Sequence, residues 1–401
     1  MPATSLGLAC LGRVVFEGQR LNEVWEGLAN RFRADPTDFG ALLDLSTLLL
    51  MTNERERGLE LQAGALSQEP CYRTIHGSGR GLKILAFAAP GDLMTNTPID
   101  FLLEGSDVEL ITWFVGDGLP DPSQVPEHDV AFLAVSQSDK AEGMLQALQG
   151  AFDGWPRPVI NGRPERIAAL TRDGVAARFA GHPQVICPAT QRAGRAALQA
   201  VATGVQALTE LHEGLRYPVI VRPTDSHAGG GLEKLDGADA LAAYLAEHGE
   251  AEFFIASYFD YAGADGLFRK LRVVFADGRP FISHMAVSAR WMVHYLNADM
   301  SEAANRAEEA QMMATFDEGF AARHCEAFQA LHDTLGLDYF GIDCAETQDG
   351  RLLVFETDVA MIVHAMDSTE SHPYKQPAMA KLFAGFIAAL TERAQAGRLA
   401  A

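Results

Sequence analysis

The chain has 401 residues, 48% apolar and 21% charged, the balance of an ordinary globular protein long enough for two to four domains. Disorder, collagen-like sequence and a disulfide scaffold are excluded. Thirty-two Lys and Arg against 53 Asp and Glu leave a net charge of −21, which repels phosphate backbones and anionic lipid and argues against nucleic-acid or membrane-surface roles.

Cys10, Cys71, Cys187, Cys325 and Cys344 are scattered and never form a C-x-x-C pair, the pattern of reduced thiols in a cytoplasm. No Lys or Arg precedes Arg13, so the short apolar start does not read as an export signal. Leu21, Val24, Trp25, Leu28 and Phe32 fall at three- and four-residue spacing, and residues 18–70 read as helical with a break at 36–38. This is helix-turn-helix repeat material similar to a tetratricopeptide unit, or else a plain three-helix cap; the sequence does not separate the two. From Lys83 the runs K-I-L-A-F-A, V-E-L-I-T-W-F-V and D-V-A-F-L-A-V predict a small parallel α/β layer. A helix is expected over Gln191–Leu211, then alternating strands and helices, then a final helix over residues 376–394.

Several familiar signals are absent or misplaced. H-G-S-G-R-G at 76–81 precedes its strand and lacks dinucleotide spacing, so it reads as a linker. There is no Gly-Lys pair for a Walker loop and no G-x-S-x-G elbow.

Three segments carry the chemistry. In Y-P-V-I-V-R-P-T-D-S-H-A-G-G-G-L (217–232) a strand ends at Arg222. The loop after it holds His227 and then Gly229, Gly230 and Gly231, whose bare backbone can close on an anion. In F-R-K-L-R-V-V-F-A-D-G-R-P-F-I-S-H-M-A-V-S-A-R (268–290), an Asp-Gly hairpin carries Arg269, Lys270, Arg272 and Arg290. In G-I-D-C-A-E-T-Q-D-G-R-L-L-V-F-E-T-D (341–358), counting back from a two-residue Asp349-Gly350 turn pairs Asp343 with Glu356, while Glu356 and Asp358 share a face. Three carboxylates on one patch repel one another unless a cation lies between them, and hard oxygen ligands suit Mg²⁺.

These segments, in this order, resemble the ATP-grasp superfamily of carboxylate-activating ligases, closest to its glutathione-synthetase-like and ribosomal-protein-modifying branch. The most specific part is the G-x-D … E-x-N signature, here G-I-D (341–343) and E-T-D (356–358). The resemblance implies an α/β protein, α+β in its C-terminal half. It would have a helical tetratricopeptide-like region (1–75), a preceding α/β domain (76–187) and an ATP-grasp domain (188–401), divided into nucleotide (188–260) and metal-binding (261–401) parts. By the same resemblance Arg222 grips the α- and β-phosphates, and Gly229, Gly230 and Gly231 cover them. The backbone of Ala256, Ser257, Tyr258 and Phe259 meets adenine, and Arg272 faces the transferred phosphate. Asp343, Glu356 and Asp358 bind magnesium, and Arg195, or else Arg192, stands for an earlier phosphate-contacting Lys. The chain departs from the family with Arg at 222, Asp at 358, a hinge without its usual Gln-Glu pair, and Lys270 where an acid is usual. The helical front end with this region also resembles a bacterial group of repeat-containing ATP-grasp proteins.

The expectation is therefore an ATP- and Mg²⁺-dependent ligase joining a carboxylate to an amine through an acyl phosphate. Arg290 would donate to the oxyanion, and Lys270, Trp291 and His294 would line the substrate pocket. The alternatives are a peptide-modifying ligase whose helices recognise a leader segment, and a non-catalytic nucleotide-binding adaptor. A homodimer is the default expectation for assembly.

Overall fold

The computed structural model describes residues 2–400 apart from 19, 117, 225, 227 and 228. The N-terminal part runs β1 (Ala3–Thr4), α1 (Leu8–Glu17), α2 (Leu21–Ala34), α3 (Phe39–Met51) and α4 (Arg55–Leu66). Next come β2 (Cys71–His76), β3 (Leu82–Ala88), α5 (Ile99–Leu102), β4 (Val108–Phe114), β5 (Val130–Leu133), α6 (Glu142–Ala147) and β6 (Val159–Ile160). The middle holds α7 (Pro164–Ala168), α8 (Arg172–Arg178), β7 (Val185–Ile186), β8 (Thr190–Gly194), α9 (Arg195–Ala202), α10 (Leu208–Leu211) and β9 (Val219–Pro223). It continues with β10 (Glu233–Leu235), α11 (Ala238–Glu247) and β11 (Glu252–Ser257). Last are β12 (Phe268–Ala276), β13 (Arg279–Ser288), α12 (Ala303–Ala314), α13 (Cys325–Leu335), β14 (Tyr339–Glu346), β15 (Leu352–Asp358) and α14 (Lys375–Ala400).

The architecture is mixed α/β, built on three sheets. The first has the order β1-β2-β4-β3-β5-β6. Strand β3 lies parallel to both β4 and β5, as its apolar run requires: Ile84, Leu85 and Phe87 are fully buried between covered faces. Just beyond the stretch read as helical, residues 71–76 form β2, antiparallel to β4. β1 pairs with it from the chain's start. The polar Arg73 and Thr74 mask the strand signal there.

The second sheet has the order β10-β9-β11-β8, antiparallel wherever its strands pair. Its core is its own, made by Val219, Val221, Phe253 and Ile255 against Leu198 of α9 and Leu241 and Leu245 of α11. The helix expected over Gln191–Leu211 is broken here. Residues 190–194 pair with β11, and the helix begins at Arg195 and stops at Ala202, with Gly204 at φ 74° just beyond.

The third sheet, β13-β12-β14-β15-β7, carries the acidic hairpin. C-terminal helix α14 packs Leu382, Phe386 and Leu390 into a core shared by Val274 and Tyr339 of this sheet and Ile84 and Phe132 of the first. The four N-terminal helices gather around α3, whose Ala41, Leu45 and Leu48 are buried against Leu11 and Leu28. No helix among the described residues is long and apolar enough to cross a membrane. All five cysteines are free thiols.

Candidate active site

Two hairpins set the site. Asp277 and Gly278, at φ 49° and 75°, form the two-residue turn between β12 and β13 that their sequence predicts. The second turn differs from expectation. Thr347 N donates to the Arg351 carbonyl and the Thr347 hydroxyl accepts from Arg351 N, each at 3.0 Å, so three residues, with Gly350 at φ 79°, make the bend. Pairing then runs Glu346 to Leu352 and Cys344 to Val354, until a bulge at Phe355 restores the count and sets Asp343 opposite Glu356. The expected pair is reached through an extra turn residue cancelled by the bulge.

Across the other ladder Arg272 lies opposite Asp343 on one side and His284 on the other. Lys270, two residues earlier, projects from the same face. Asp343 is buried, and both its oxygens are taken: Arg272 Nε donates to Oδ1 at 2.8 Å, Arg272 Nη2 to Oδ2 at 3.2 Å, and Lys270 Nζ to Oδ2 at 3.0 Å. Burial alone would raise Asp343, but Arg272 and Lys270 hold its carboxyl well below the usual range. Arg272 is also anchored through Nη1 to the carbonyl of Ile362 at 3.0 Å. The loop bearing Ile362 passes so close that a Cβ on Gly341 would meet Met361 Sδ at 2.8 Å, which accounts for the glycine of G-I-D.

Glu356 pairs with Arg172, the first residue of α8, whose start is capped by the Thr171 hydroxyl accepting from Gly174 N at 3.1 Å. Burial would raise Glu356, yet Arg172, with help from Arg222 and Lys270, lowers it despite Asp343 nearby. Asp358 accepts a hydrogen bond from Ala360 N at 3.0 Å. Burial, with Glu356 beside it, pushes Asp358 up to about 6.

Arg222 reaches the same space from β9, held by Ser226 through Nε to Oγ at 3.0 Å and through Nη2 to the Ser226 carbonyl. Burial and the charge of Arg172 lower it to about 10. The glycine turn lies beside it. Gly229 and Gly231 are at φ 78° and 63°, the Gly231 carbonyl accepts from Tyr244 at 2.7 Å, and Met292 Sδ sits 3.6 Å from where a Cβ on Gly229 would be. His227 lies outside the described residues. Burial, then Lys270 and Arg272, lower His294, which places it near the same cations. His284 Nδ1 is buried without a hydrogen-bond partner among the described residues.

Asp343 and Glu356 thus meet cations supplied by the chain, whereas Asp358 meets none among the described residues. Among the described residues no group of three or more His, Cys, Asp and Glu side chains is arranged to hold a metal. Asp343 does not fit the expected magnesium trio, because Lys270 and Arg272 occupy both its oxygens. Glu356 and Asp358 do fit Mg²⁺, which needs only one or two carboxylates beside phosphate oxygens.

Other expected residues lie elsewhere. Arg195 caps the end of α11, donating to the carbonyls of His248 at 2.5 Å, Glu250 at 3.2 Å and Leu245. Arg192 is engaged by Asp139 and Glu252, each at 2.6 Å. Arg192 shares a face of the second sheet with Arg222, both lying opposite Phe254. Arg172 is a basic residue of the site that the sequence pattern did not single out, and Thr171-Arg172, a helix cap followed by a cation, is its one faint signal. Arg290 bonds the Asn297 carbonyl at 2.5 Å and, with Lys234, Tyr258, Trp291 and Met292, lines a cleft of about 670 Å³. Lys234 Nζ sits 4.3 Å over the Tyr258 ring, and Trp291 meets that ring edge-on. Ala256 and Ser257 end β11. The Ser257 hydroxyl donates to Gly214 O at 3.0 Å and accepts from Arg216 N at 3.1 Å, while Phe259 packs against the buried Tyr261 cluster.

No protein-family model and no curated protein matches the chain. Solved structures similar to it include two described as ATP-grasp proteins and a D-alanine–D-alanine ligase. One is a RimK-domain ATP-grasp protein from Sphaerobacter thermophilus, 16% identical, TM-score 0.41, over 76% of this chain and 99% of that one. Another is a D-alanine–D-alanine ligase from Bacillus anthracis, 14% identical, TM-score 0.46, over 80% of this chain and all of that one. A third is the ligase PsnB, complexed with a precursor peptide and AMPPNP, 13% identical, TM-score 0.41, over 77% of this chain and 97% of that one. At these identities the likeness assigns neither substrate nor residue role.

Proposed function

We propose that the chain is an ATP-dependent ligase that joins a carboxylate to an amine, with the nucleotide held between the second and third sheets. The observation supporting this best is that Arg172, Arg222, Lys270 and Arg272, drawn from three elements, converge on Asp343 and Glu356 in a chain of net charge −21. Four cations gathered beside a glycine turn favour a polyphosphate.

In this reading Arg222 and the backbone of Gly229, Gly230 and Gly231 bind the phosphates, and Arg272, fixed by Asp343 and Ile362, faces the one transferred. Arg172 leaves Glu356 as phosphate enters. A Mg²⁺ ion on Glu356 and Asp358 would screen the phosphate charge. The substrate carboxylate attacks the γ-phosphorus to give an acyl phosphate and ADP, and the amine then displaces phosphate. The glycine turn and Met292 exclude water, which would otherwise hydrolyse the acyl phosphate. Arg290, turned to Asn297, supports a place in the wall of the Tyr258 and Trp291 cleft rather than the oxyanion role expected for it. The separate core of the second sheet supports a nucleotide-binding part within 188–260.

A peptide acceptor is the second reading. Residues 365–370, which continue the loop holding Arg272 through Ile362, line a cleft of about 980 Å³ together with α1, residues 104–106 and α14. Such a groove beside the site suits an extended chain. ADP release from the purified protein with Mg·ATP, measured across amino acids and peptides, tests both readings. Glu356→Gln and Arg222→Ala should each lower it about a hundredfold while leaving circular dichroism unchanged. Wild-type ADP production by both variants would refute the assignment.

A further inference from the structure

We infer, on the basis of the nucleotide-binding reading, that Lys270 takes the place of a second divalent ion, so that the site binds a single one, on Glu356 and Asp358. Asp343 is 3% exposed and accepts three charge-assisted hydrogen bonds from two cations, at 2.8, 3.0 and 3.2 Å. Both cations come from the strand paired with Asp343. Arg272 is set opposite Asp343 by the ladder and tied at its far end to Ile362 O at 3.0 Å, and Lys270 rides the same strand two residues away.

A carboxylate-bound Mg²⁺ sits about 2.1 Å from its oxygen. An ion on Asp343 would therefore meet an ammonium and a guanidinium that hold the same two oxygens, with like charges in near contact. Glu356 is held differently. Its partner Arg172 comes from α8, outside the sheet, and a phosphate can draw it away. Asp358 has a backbone N–H on one oxygen, at 3.0 Å. Two carboxylates two residues apart on β15 remain for one ion, and the Lys270 ammonium neutralises the charge that a second would otherwise offset.

The test counts ions. The full chain saturated with AMPPNP is titrated with Mn²⁺, and the bound ion is followed by electron paramagnetic resonance. One Mn²⁺ per chain with an uncoupled spectrum is expected. Two per chain, or an exchange-coupled spectrum, overturns the inference while leaving the nucleotide reading intact. Lys270→Glu should raise the count from one to two. Should that variant not fold, the wild-type count still decides the matter. Absence of AMPPNP binding with and without Mn²⁺ overturns the nucleotide reading and the single-ion inference together.

Discussion

Asp343 and Asp44 are both buried carboxylates, and their surroundings drive them in opposite directions. Asp343 faces two cations and stays ionised. Asp44, in α3, is held by neutral donors, among them the Ser5 hydroxyl at 2.6 Å and Leu6 N at 2.8 Å, with only the more distant charge of Arg31 to help. Burial therefore raises it from 3.8 to about 6 despite those bonds. Its folded value lies above its unfolded one, so the stability it contributes is complete below pH 4 and is lost as pH rises to about 6. The loss is on the order of 3 kcal/mol at most, since each unit corresponds to about 1.4 kcal/mol. Asp44→Asn removes the charge at nearly constant volume. Denaturant melts at pH 4, 5, 6 and 7.5 should show the wild type losing stability relative to this variant across that window, and a constant difference would contradict a raised Asp44. Residues of this kind were only partly legible. Arg222, Arg272 and the acidic hairpin stand in local patterns that read directly. Arg172 meets Glu356 across 184 positions from a seven-residue helix with no pattern of its own, and only folding joins them.

Turns announced themselves at the level of elements, although their geometry did not. Asp277-Gly278 and Asp349-Gly350 look alike in sequence, yet one bends in two residues and the other in three. Thr347, bonded to Asp349 and Arg351, pulls the second turn wider. Helices α12 and α14 meet β13 through a junction that no motif marks. Lys375, 2% exposed, lies 3.5 Å from Glu309, which is fully buried and also accepts from Met285 N at 3.0 Å and Tyr374 at 2.6 Å. Lys375 also meets Asp367 at 3.2 Å, so removing the lysine leaves the fully buried Glu309 without its cation. Lys375→Met should cost about 3 kcal/mol in urea denaturation, and adding Glu309→Gln should recover part of that loss. Independent, additive losses would show that the two do not act as a pair.

For the molecule as a whole, the three sheets are not equivalent. The first and third share two cores, one of them completed by α14, whereas the second folds around its own. Hydrogen exchange should accordingly find residues 190–257 opening more readily than 82–133, and AMPPNP should slow exchange at 229–232 most. Equal protection in both regions, unchanged by nucleotide, would count against a separately moving sheet. The layered α/β character of residues 83–160 was readable because covered strands are apolar on both faces, but which sheets share a core depends on contacts hundreds of residues apart. The placement of α14 has a mechanical consequence. Wedged between two sheets, it fixes them as an immobile anvil carrying the acidic hairpin, so any closing stroke falls to the jaw that bears Arg222 and the glycines. In the ligase reading proposed above, a clamp with one moving arm would keep its reacting groups aligned while it swings.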